Sequence, residues 1–321
     1  MNYRPILVVH GEPNSIFLEI FFKSIKIKKY KSPIILICSK KILNFYMKKF
    51  KIKKKIKLIK KFDYDLKKLN NKCINLVDVK CNLNLKNTKI SQKSSPYIEE
   101  CFNVSFKILK LGITDKFING PISKKSFLNK KYLGITEYLS KKFKSKSNAM
   151  LIYNEKLSVC PLTTHMPIKF VAKKINKNTL IEKVKLINDF YIKKIGFKPK
   201  IGVLGLNPHC ESIHSFNEDD KILKPVINKL IKRKFNISGP YSADTFFLKD
   251  NRKNYNVVIG MYHDQVLTPL KTIYEYNAIN ITLGLPFIRI SPDHGPNEKM
   301  VGQNLSNPLS LIKAIKFLDK N

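Results

Sequence analysis

Short runs of Ile, Val and Leu alternate with stretches of helical spacing along almost the whole of this 321-residue chain. The runs predict strands at residues 6–9, 33–38, 74–79, 116–118, 157–162, 200–206, 257–261 and 280–282. Apolar spacing of three and four residues predicts helices at 15–27, 41–50, 97–109, 179–193, 220–232 and 308–318. Strands that are apolar without alternation are covered on both faces, the condition of a parallel sheet between helices. The chain is therefore expected to be an α/β fold with a largely parallel sheet. No internal repeat or long Gly/Ser linker marks a domain boundary. Residues 40–72, lysine-rich and poor in glycine, show no chemistry.

With 43% hydrophobic residues the chain can build a well-buried core, as two domains or one large one. It has no run of about 18 apolar residues, so no membrane span is expected. The opening Met-Asn-Tyr-Arg-Pro-Ile-Leu-Val-Val reads as a first strand, too short for a secretory leader core and followed by no small-residue cleavage site. The expectation is a cytoplasmic protein. The six cysteines (Cys38, Cys73, Cys81, Cys101, Cys160 and Cys210) form no CxxC pair and read as scattered reduced thiols. Cys210 is the one beside a candidate site residue.

A net charge of +38 invites a nucleic-acid reading. The charge is nearly all lysine, spread along the chain; the arginines are Arg4, Arg233, Arg252 and Arg289. Arginine supplies the forked contacts that phosphate and base recognition favour. The charge is read as a solvated lysine surface, with neither nucleic acid nor membrane as a partner.

Three segments share one design, an apolar strand running into a histidine: Val159-Cys-Pro-Leu-Thr-Thr-His165, Gly202-Val-Leu-Gly-Leu-Asn-Pro-His209 and Val257-Val-Ile-Gly-Met-Tyr-His263. Ligands of open α/β sheets bind at the carboxyl ends of strands. Three neutral imidazoles converging there leave a coordination position open for substrate. Spacing alone leaves two readings side by side, a metal site and three ordinary loop histidines with one hydrogen bond each. His214 sits among polar loop residues, and His10 follows the first strand in a position that can face a cleft.

Further signal lies after Gly239. Gly239-Pro-Tyr-Ser-Ala-Asp244 places a carboxylate after a turn, and Lys271, Asn280 and Arg289 recur at nine-residue steps. A Lys, an Asn and an Arg together suit a phosphate or a carboxylate. Arg289 closes an apolar run and is expected at a strand end; Asp293-His294-Gly295-Pro296 is a tight turn. GxGxxG, GxxxxGK[ST] and GxSxG are all missing, so any dinucleotide binds by another route.

Together these segments resemble the 4-hydroxythreonine-4-phosphate dehydrogenase family of pyridoxal 5′-phosphate biosynthesis. The resemblance is carried by Asn119-Gly-Pro-Ile-Ser-Lys124, Thr163-Thr-His-Met-Pro167, Gly205-Leu-Asn-Pro-His209, Gly239-Pro-Tyr-Ser-Ala-Asp-Thr245, Tyr262-His-Asp-Gln265, Asn280-Ile-Thr-Leu-Gly-Leu-Pro-Phe-Ile-Arg289 and Asp293-His-Gly295, in the family's order from about residue 115 onward. It implies a two-domain fold like the isocitrate and isopropylmalate dehydrogenases, with a cleft between the domains. Residues 1–125 with 290–321 would form the first α/β domain and 126–289 the second. It also implies a homodimer with active sites at the interface. His165, His209 and His263 would hold a divalent metal, zinc first and magnesium or cobalt next. Thr136, Lys271, Asn280 and Arg289 would bind a phosphorylated substrate, Asp244 and Lys271 would enter the chemistry, and Asp293, His294 and Gly295 would contact NAD or NADP. The implied reaction oxidises the C3 hydroxyl of 4-phosphohydroxy-L-threonine and loses carbon dioxide, giving 3-amino-2-oxopropyl phosphate.

The sequence departs from the family pattern at loops. Ile135 stands where the family has a substrate-binding histidine. Gly11-Glu-Pro-Asn-Ser-Ile-Phe-Leu-Glu19 has lost two of that stretch's glycines, Cys210-Glu-Ser-Ile-His-Ser-Phe-Asn217 replaces a glycine-rich stretch, and Pro296 replaces a threonine. Ile135 keeps open a paralogue acting on 4-phosphorylated threonate or erythronate. The altered loops keep open a metal-binding protein that has lost catalysis, although Lys271, Asn280 and Arg289 are intact.

Overall fold

The unbroken apolar runs become strands covered on both faces, and every residue of the first two is buried. The computed structural model describes the chain apart from residues 1–2, 61–67, 84–88, 124–126, 129–131, 133, 213, 215, 293 and 321. It divides into two units, Met1–Tyr138 with Pro286–Asn321 and Leu139–Leu285.

In the first unit the strands are β1 (Ile6–Val9), β2 (Ile34–Cys38), β3 (Ile56–Leu58), β4 (Ile74–Asp78), β5 (Lys116–Asn119) and the chain's last strand, β12 (Ile288–Pro292). They pair in the order β3-β4-β2-β1-β5-β12, and each pairing is parallel. The helices are α1 (Phe17–Ile27), α2 (Lys40–Lys49), α3 (Ser95–Lys110) and the closing α11 (Leu309–Lys320). α3 packs on β1 and β2, and α11 on β1, β5 and β12. Glu19 in the first turn of α1 is buried. It is neutralised by Lys23 at 2.9 Å and accepts the backbone N–H of Ser306 at 2.6 Å, which ties α1 to the approach to α11.

Helix α4 (Ile135–Lys142) spans the division between the units. The second unit contains β6 (Ala149–Tyr153), β7 (Ser158–Pro161), α5 (Val171–Lys174), α6 (Lys177–Phe190), β8 (Ile201–Leu204), α7 (Lys224–Lys232), β9 (Ile237–Tyr241), α8 (Ala243–Phe246), α9 (Lys249–Arg252), β10 (Val257–Gly260), α10 (His263–Tyr274) and β11 (Ile279–Leu283). Its strand order is β11-β6-β7-β10-β8-β9. β6 runs antiparallel to both of its neighbours; the rest pair parallel. A parallel pair needs a crossover of a dozen residues or more. Four residues link β6 to β7, so only a hairpin is open to them, and Asn154 closes it by accepting the N–H of Lys156 at 2.8 Å. Asn176 caps α6 through the N–H of Thr179 at 3.0 Å, a contact of about 1 kcal/mol. The core of this unit is built on Val159, Leu204, Val258, Val266 and Phe246, each contributing about 1.5–3 kcal/mol by burial.

The α/β class stands as read. The expected strands and helices are present, while β3, β6, β9, β12 and the helix that begins at His263 carried no clear local signal. β3 lies inside the lysine-rich stretch that showed no chemistry. Among the described residues no helix is long and apolar enough to cross a membrane, and all six cysteines are free.

Candidate functional site

His165, His209 and His263 leave one edge of the second unit's sheet. β7, β10 and β8 are neighbours running parallel, with Ile259 aligned to Cys160 on one side and Val203 on the other. His165 follows β7 by four residues, His263 follows β10 by three, and His209 follows β8 by five. β9 lies beyond β8, and its carboxyl end leads through Ser242 to Asp244 in α8. Parallel neighbours present all their carboxyl ends on one side, the usual ligand edge of such sheets.

The loops on this edge are stitched to one another. Thr163, beyond β7, donates both its N–H (3.2 Å) and its hydroxyl (2.7 Å) to Met261 O, beyond β10. Gln265, in the first turn of α10, accepts from Met261 N at 2.6 Å and donates to Gly205 O, beyond β8, at 2.8 Å. Asp219, fully buried, accepts from Leu206 N at 2.8 Å, Asn207 N at 3.1 Å and Asn207 Nδ2 at 2.8 Å. A wide turn, Asp219–Leu223, precedes α7 and carries this carboxylate. Two glycines make room for these contacts. A Cβ at Gly205 would stand 2.6 Å from Cys210 Sγ and 2.9 Å from Asp219 Oδ1; one at Gly260 would stand 2.4 Å from Val266 Cγ1. The stitches hold left-handed backbone at His165 (φ 43°), His209 (φ 54°) and Cys210 (φ 59°), a conformation that costs an L residue about 1–2 kcal/mol.

The rings of His165 and His263 stand 5.8 Å apart. Imidazoles sharing an ion at about 2.0–2.1 Å from nitrogen have ring centres roughly 5–6 Å apart, so this pair has suitable spacing. His263 Nδ1 contacts Asp264 Oδ1 at 2.6 Å. An ionised carboxylate only accepts, so Nδ1–H is the donor in this contact and Nε2 is the nitrogen left to face a ligand. His209 instead lines a cavity of about 430 Å³ with Cys210, Tyr241, Ser242 and Tyr255. Among the described residues no three His, Cys, Asp or Glu side chains of one chain stand in a ligating group. Two of the expected ligands meet and the third does not join them. Burial and the nearby Asp219 carboxylate raise the Cys210 thiol and keep it protonated, so it is a poor nucleophile.

Lys271 and Asn280 lie away from this edge. Lys271 is exposed on α10, eight residues beyond His263 or about 12 Å of helix rise. Asn280, on β11, aligns with Ile152, which aligns with Val159. It is two strands from β7 and three from β10, roughly 10 and 14 Å. Its Oδ1 is buried without a hydrogen-bond partner among the described residues. Asp244 is exposed on α8.

The other expected residues fall in the first unit. Arg289 does not end a strand: it is the second residue of β12, aligned with Phe117, because the strand continues to Pro292. It is wholly enclosed, and its Nε donates to Asn119 Oδ1 at 2.7 Å. Burial presses the guanidinium below its ordinary range, and the Glu137 carboxylate pulls it back. Thr136 is half-buried in the first turn of α4. His294 N donates to Pro292 O at 2.9 Å, and Gly295 is exposed; Asp293 lies outside the described residues.

His10 does not face a cleft. It is fully buried, its Nδ1 stands 3.1 Å from the Tyr97 hydroxyl, and burial drives its pKa down to about 3, so the ring is neutral. Glu12 is also enclosed. Its oxygens accept from Ser94 Oγ at 3.0 Å and Asn14 N at 3.4 Å, and burial raises it to about 6. Sequence reasoning passed over Glu12, Asp219 and Gln265. Gln265 stood inside a quoted segment, but nothing local says that its amide bridges two loops.

A relative from Sulfurihydrogenibium sp. (strain YO3AOP1), a 4-hydroxythreonine-4-phosphate dehydrogenase, is 36% identical over 317 residues, 97% of this chain and 96% of its own length. Residues 29–318 match the family described as Pyridoxal phosphate biosynthetic protein PdxA. The chain belongs to this family.

A second PdxA-like relative, the D-threonate 4-phosphate dehydrogenase of Pectobacterium atrosepticum, is 31% identical over 221 residues, 68% of each chain. The crystal structure of 4-hydroxythreonine-4-phosphate dehydrogenase from Klebsiella pneumoniae superposes with a TM-score of 0.83 at 24% identity, covering 98% of each chain, and shows the same fold. Within this PdxA-family chain the altered first loop keeps one close backbone approach. Gly11, at φ 77°, would bring a Cβ within 2.5 Å of Pro121 O, so the Asn119-Gly120-Pro121 turn needs glycine there. Ile135 opens α4 half-buried.

Proposed function

We propose that this chain is an NAD- or NADP-dependent dehydrogenase that oxidises 4-phosphohydroxy-L-threonine at C3 and releases carbon dioxide, giving 3-amino-2-oxopropyl phosphate for pyridoxal 5′-phosphate biosynthesis in the cytoplasm. The observation that carries this reading is the row of His165, His263 and His209 at the carboxyl ends of three adjacent parallel strands.

In this reading the three imidazoles hold a divalent metal, zinc before magnesium or cobalt, since neutral nitrogen donors suit it. The metal supplies Lewis acidity toward a hydroxyl oxygen, and the nicotinamide cofactor supplies the hydride acceptor. Asp264 keeps His263 in the ligating tautomer. Thr136, Lys271, Asn280 and Arg289 bind the phosphorylated substrate, and Asp244 and Lys271 enter the chemistry. Asp293, His294 and Gly295 contact the cofactor. Lys271 and Asn280 lie far from the histidines of their own chain, and His165 and His209 are exposed. This separation supports a homodimer whose active site draws residues from both chains.

The second reading, a dehydrogenase for 4-phosphorylated threonate or erythronate, is favoured by Ile135, which cannot donate a hydrogen bond. Purified protein given each substrate with NAD and with NADP, after zinc, magnesium or cobalt loading, decides between them by absorbance of the reduced cofactor. Preference for the amine-free acid would replace the first reading. No turnover of either substrate by metal-loaded protein would leave a metal-binding protein without catalysis.

A further inference from the structure

We propose that a cavity of about 490 Å³ at the amino end of the first unit's sheet binds an amphipathic anion, an acyl or aryl body carrying one carboxylate or phosphate head. Its size falls in the range of about 300–1,000 Å³ typical of small-molecule sites. Parallel sheets ordinarily take their ligands at the carboxyl ends of strands. This cavity lies at the other end of the sheet from the Asn119-Gly120-Pro121 turn that follows β5.

The floor is apolar. Ile34 and Ile74 are the first residues of β2 and β4, neighbouring parallel strands, and Phe21 and Ile25 stand one turn apart on α1. Such a surface favours a ligand body that is better out of water. The walls are fixed before any ligand arrives. Asn71 accepts from Ile34 N at 2.9 Å and donates to Tyr30 O at 3.0 Å and Ser32 O at 2.9 Å, which ties the loop before β2 to the loop before β4.

The rim is cationic. Lys26, Lys28, Lys29, Lys54 and Lys72 line it, and none of their ammonium groups has a hydrogen-bond or ion-pair partner among the described residues. Asp319, whose charge reaches Tyr30, is engaged by the N–H groups of Lys31 at 3.0 Å and Ser32 at 2.6 Å. The carboxyl end of α1 brings roughly half a negative charge, which five ammoniums outweigh. Lysine stems lie along apolar surface while their heads stay in water, so the rim can meet a carboxylate or phosphate while the floor holds the body. An apolar floor alone would take a neutral ligand, and a lysine cluster alone would take any anion; the two together select a molecule with both parts.

The test uses full-length wild type, Lys29→Glu/Lys72→Glu and Ile25→Trp, with anilinonaphthalene sulfonate, itself an aryl anion, as the fluorescent probe. Octanoate, phenyl phosphate and inorganic phosphate compete with it. Cys73 lines the cavity half-buried while the other five cysteines are buried, so its rate of alkylation by iodoacetamide, read by peptide mass spectrometry, locates the bound molecule. Octanoate or phenyl phosphate should displace the probe and slow Cys73 alkylation severalfold, and the more effective of the two distinguishes an acyl carboxylate from an aryl phosphate. Inorganic phosphate at the same concentration should do neither. Lys29→Glu/Lys72→Glu, at two exposed positions, should melt as wild type does and bind the probe about tenfold or more weakly; Ile25→Trp should weaken it by filling the floor. An unchanged Cys73 rate at saturating competitor, or wild-type affinity in folded Lys29→Glu/Lys72→Glu, would overturn the proposal. Inorganic phosphate as effective as phenyl phosphate would also overturn it, since the site would then read charge alone. Sedimentation of wild type but not Lys29→Glu/Lys72→Glu with anionic phospholipid vesicles, without protection of Cys73 by either soluble anion, would overturn it in favour of a membrane-facing lysine surface.

Discussion

Arg289 Nε donates to Asn119 Oδ1 at 2.7 Å inside the first unit, and no part of the arginine reaches solvent. The contact joins the segment Asn119-Gly120-Pro121 to the strand that carries the proposed phosphate ligand. A buried guanidinium is expensive to strip of its partners, so this arginine is held in place before substrate arrives. Arg289→Lys keeps the charge but loses the planar fork. The Michaelis constant for the phosphorylated substrate should rise tenfold or more while metal content stays at the wild-type level. Steady-state kinetics and metal analysis on one preparation check this, and an unchanged Michaelis constant would remove Arg289 from the substrate site.

His209→Ala should abolish metal binding and turnover together, while the metal-free protein melts close to wild type because the side chain is exposed. Elemental analysis after dialysis against zinc reads the outcome. Normal metal content would break the histidine triad.

Glu12 predicts a pH effect on stability. Its pKa is raised from 4.5 to about 6, so the native state holds the proton more tightly than the unfolded chain. The Glu12 contribution therefore falls as pH rises from 4.5 to about 6, by about 2 kcal/mol in all. Glu12→Gln removes this loss: relative to wild type it should gain about that much between pH 4 and pH 7. His10, pressed to about 3, works in the opposite sense by losing stability as pH falls below 6.5, and it cancels in the difference. Urea unfolding of both proteins at the two pH values measures it; an equal offset at both would show that Glu12 is not shifted.

Ile135→His tests the substrate loop. The position is half-buried in the first turn of α4, one residue before Thr136. A histidine there restores a donor, and the Michaelis constant for 4-phosphohydroxy-L-threonine should fall severalfold with little change in turnover number. Kinetics with the amine-free acid alongside show whether the gain is specific. No change with either substrate would mean that this face of α4 does not meet substrate.

The local pattern was enough for the fold class. Ile6–Val9 and Val257–Gly260 are apolar on both faces, and that burial demands helices on either side. The histidines were legible for the same reason, since each ends an apolar run that has only one way to be a strand. Strand order was not legible. β7, β10 and β8 are neighbours although nearly a hundred residues separate the first from the second, because pairing is chosen by packing across the whole unit and not by any local period. The same holds for burial of polar groups. His10 and Arg289 look like ordinary cleft and strand-end residues in sequence, and their enclosure depends on Tyr97, Asn119 and Glu137, which are distant in the chain. The side chains that hold the histidine loops, Gln265 and Asp219, acquire their roles only when two loops meet, because a hydrogen bond between segments has no signature in either segment alone.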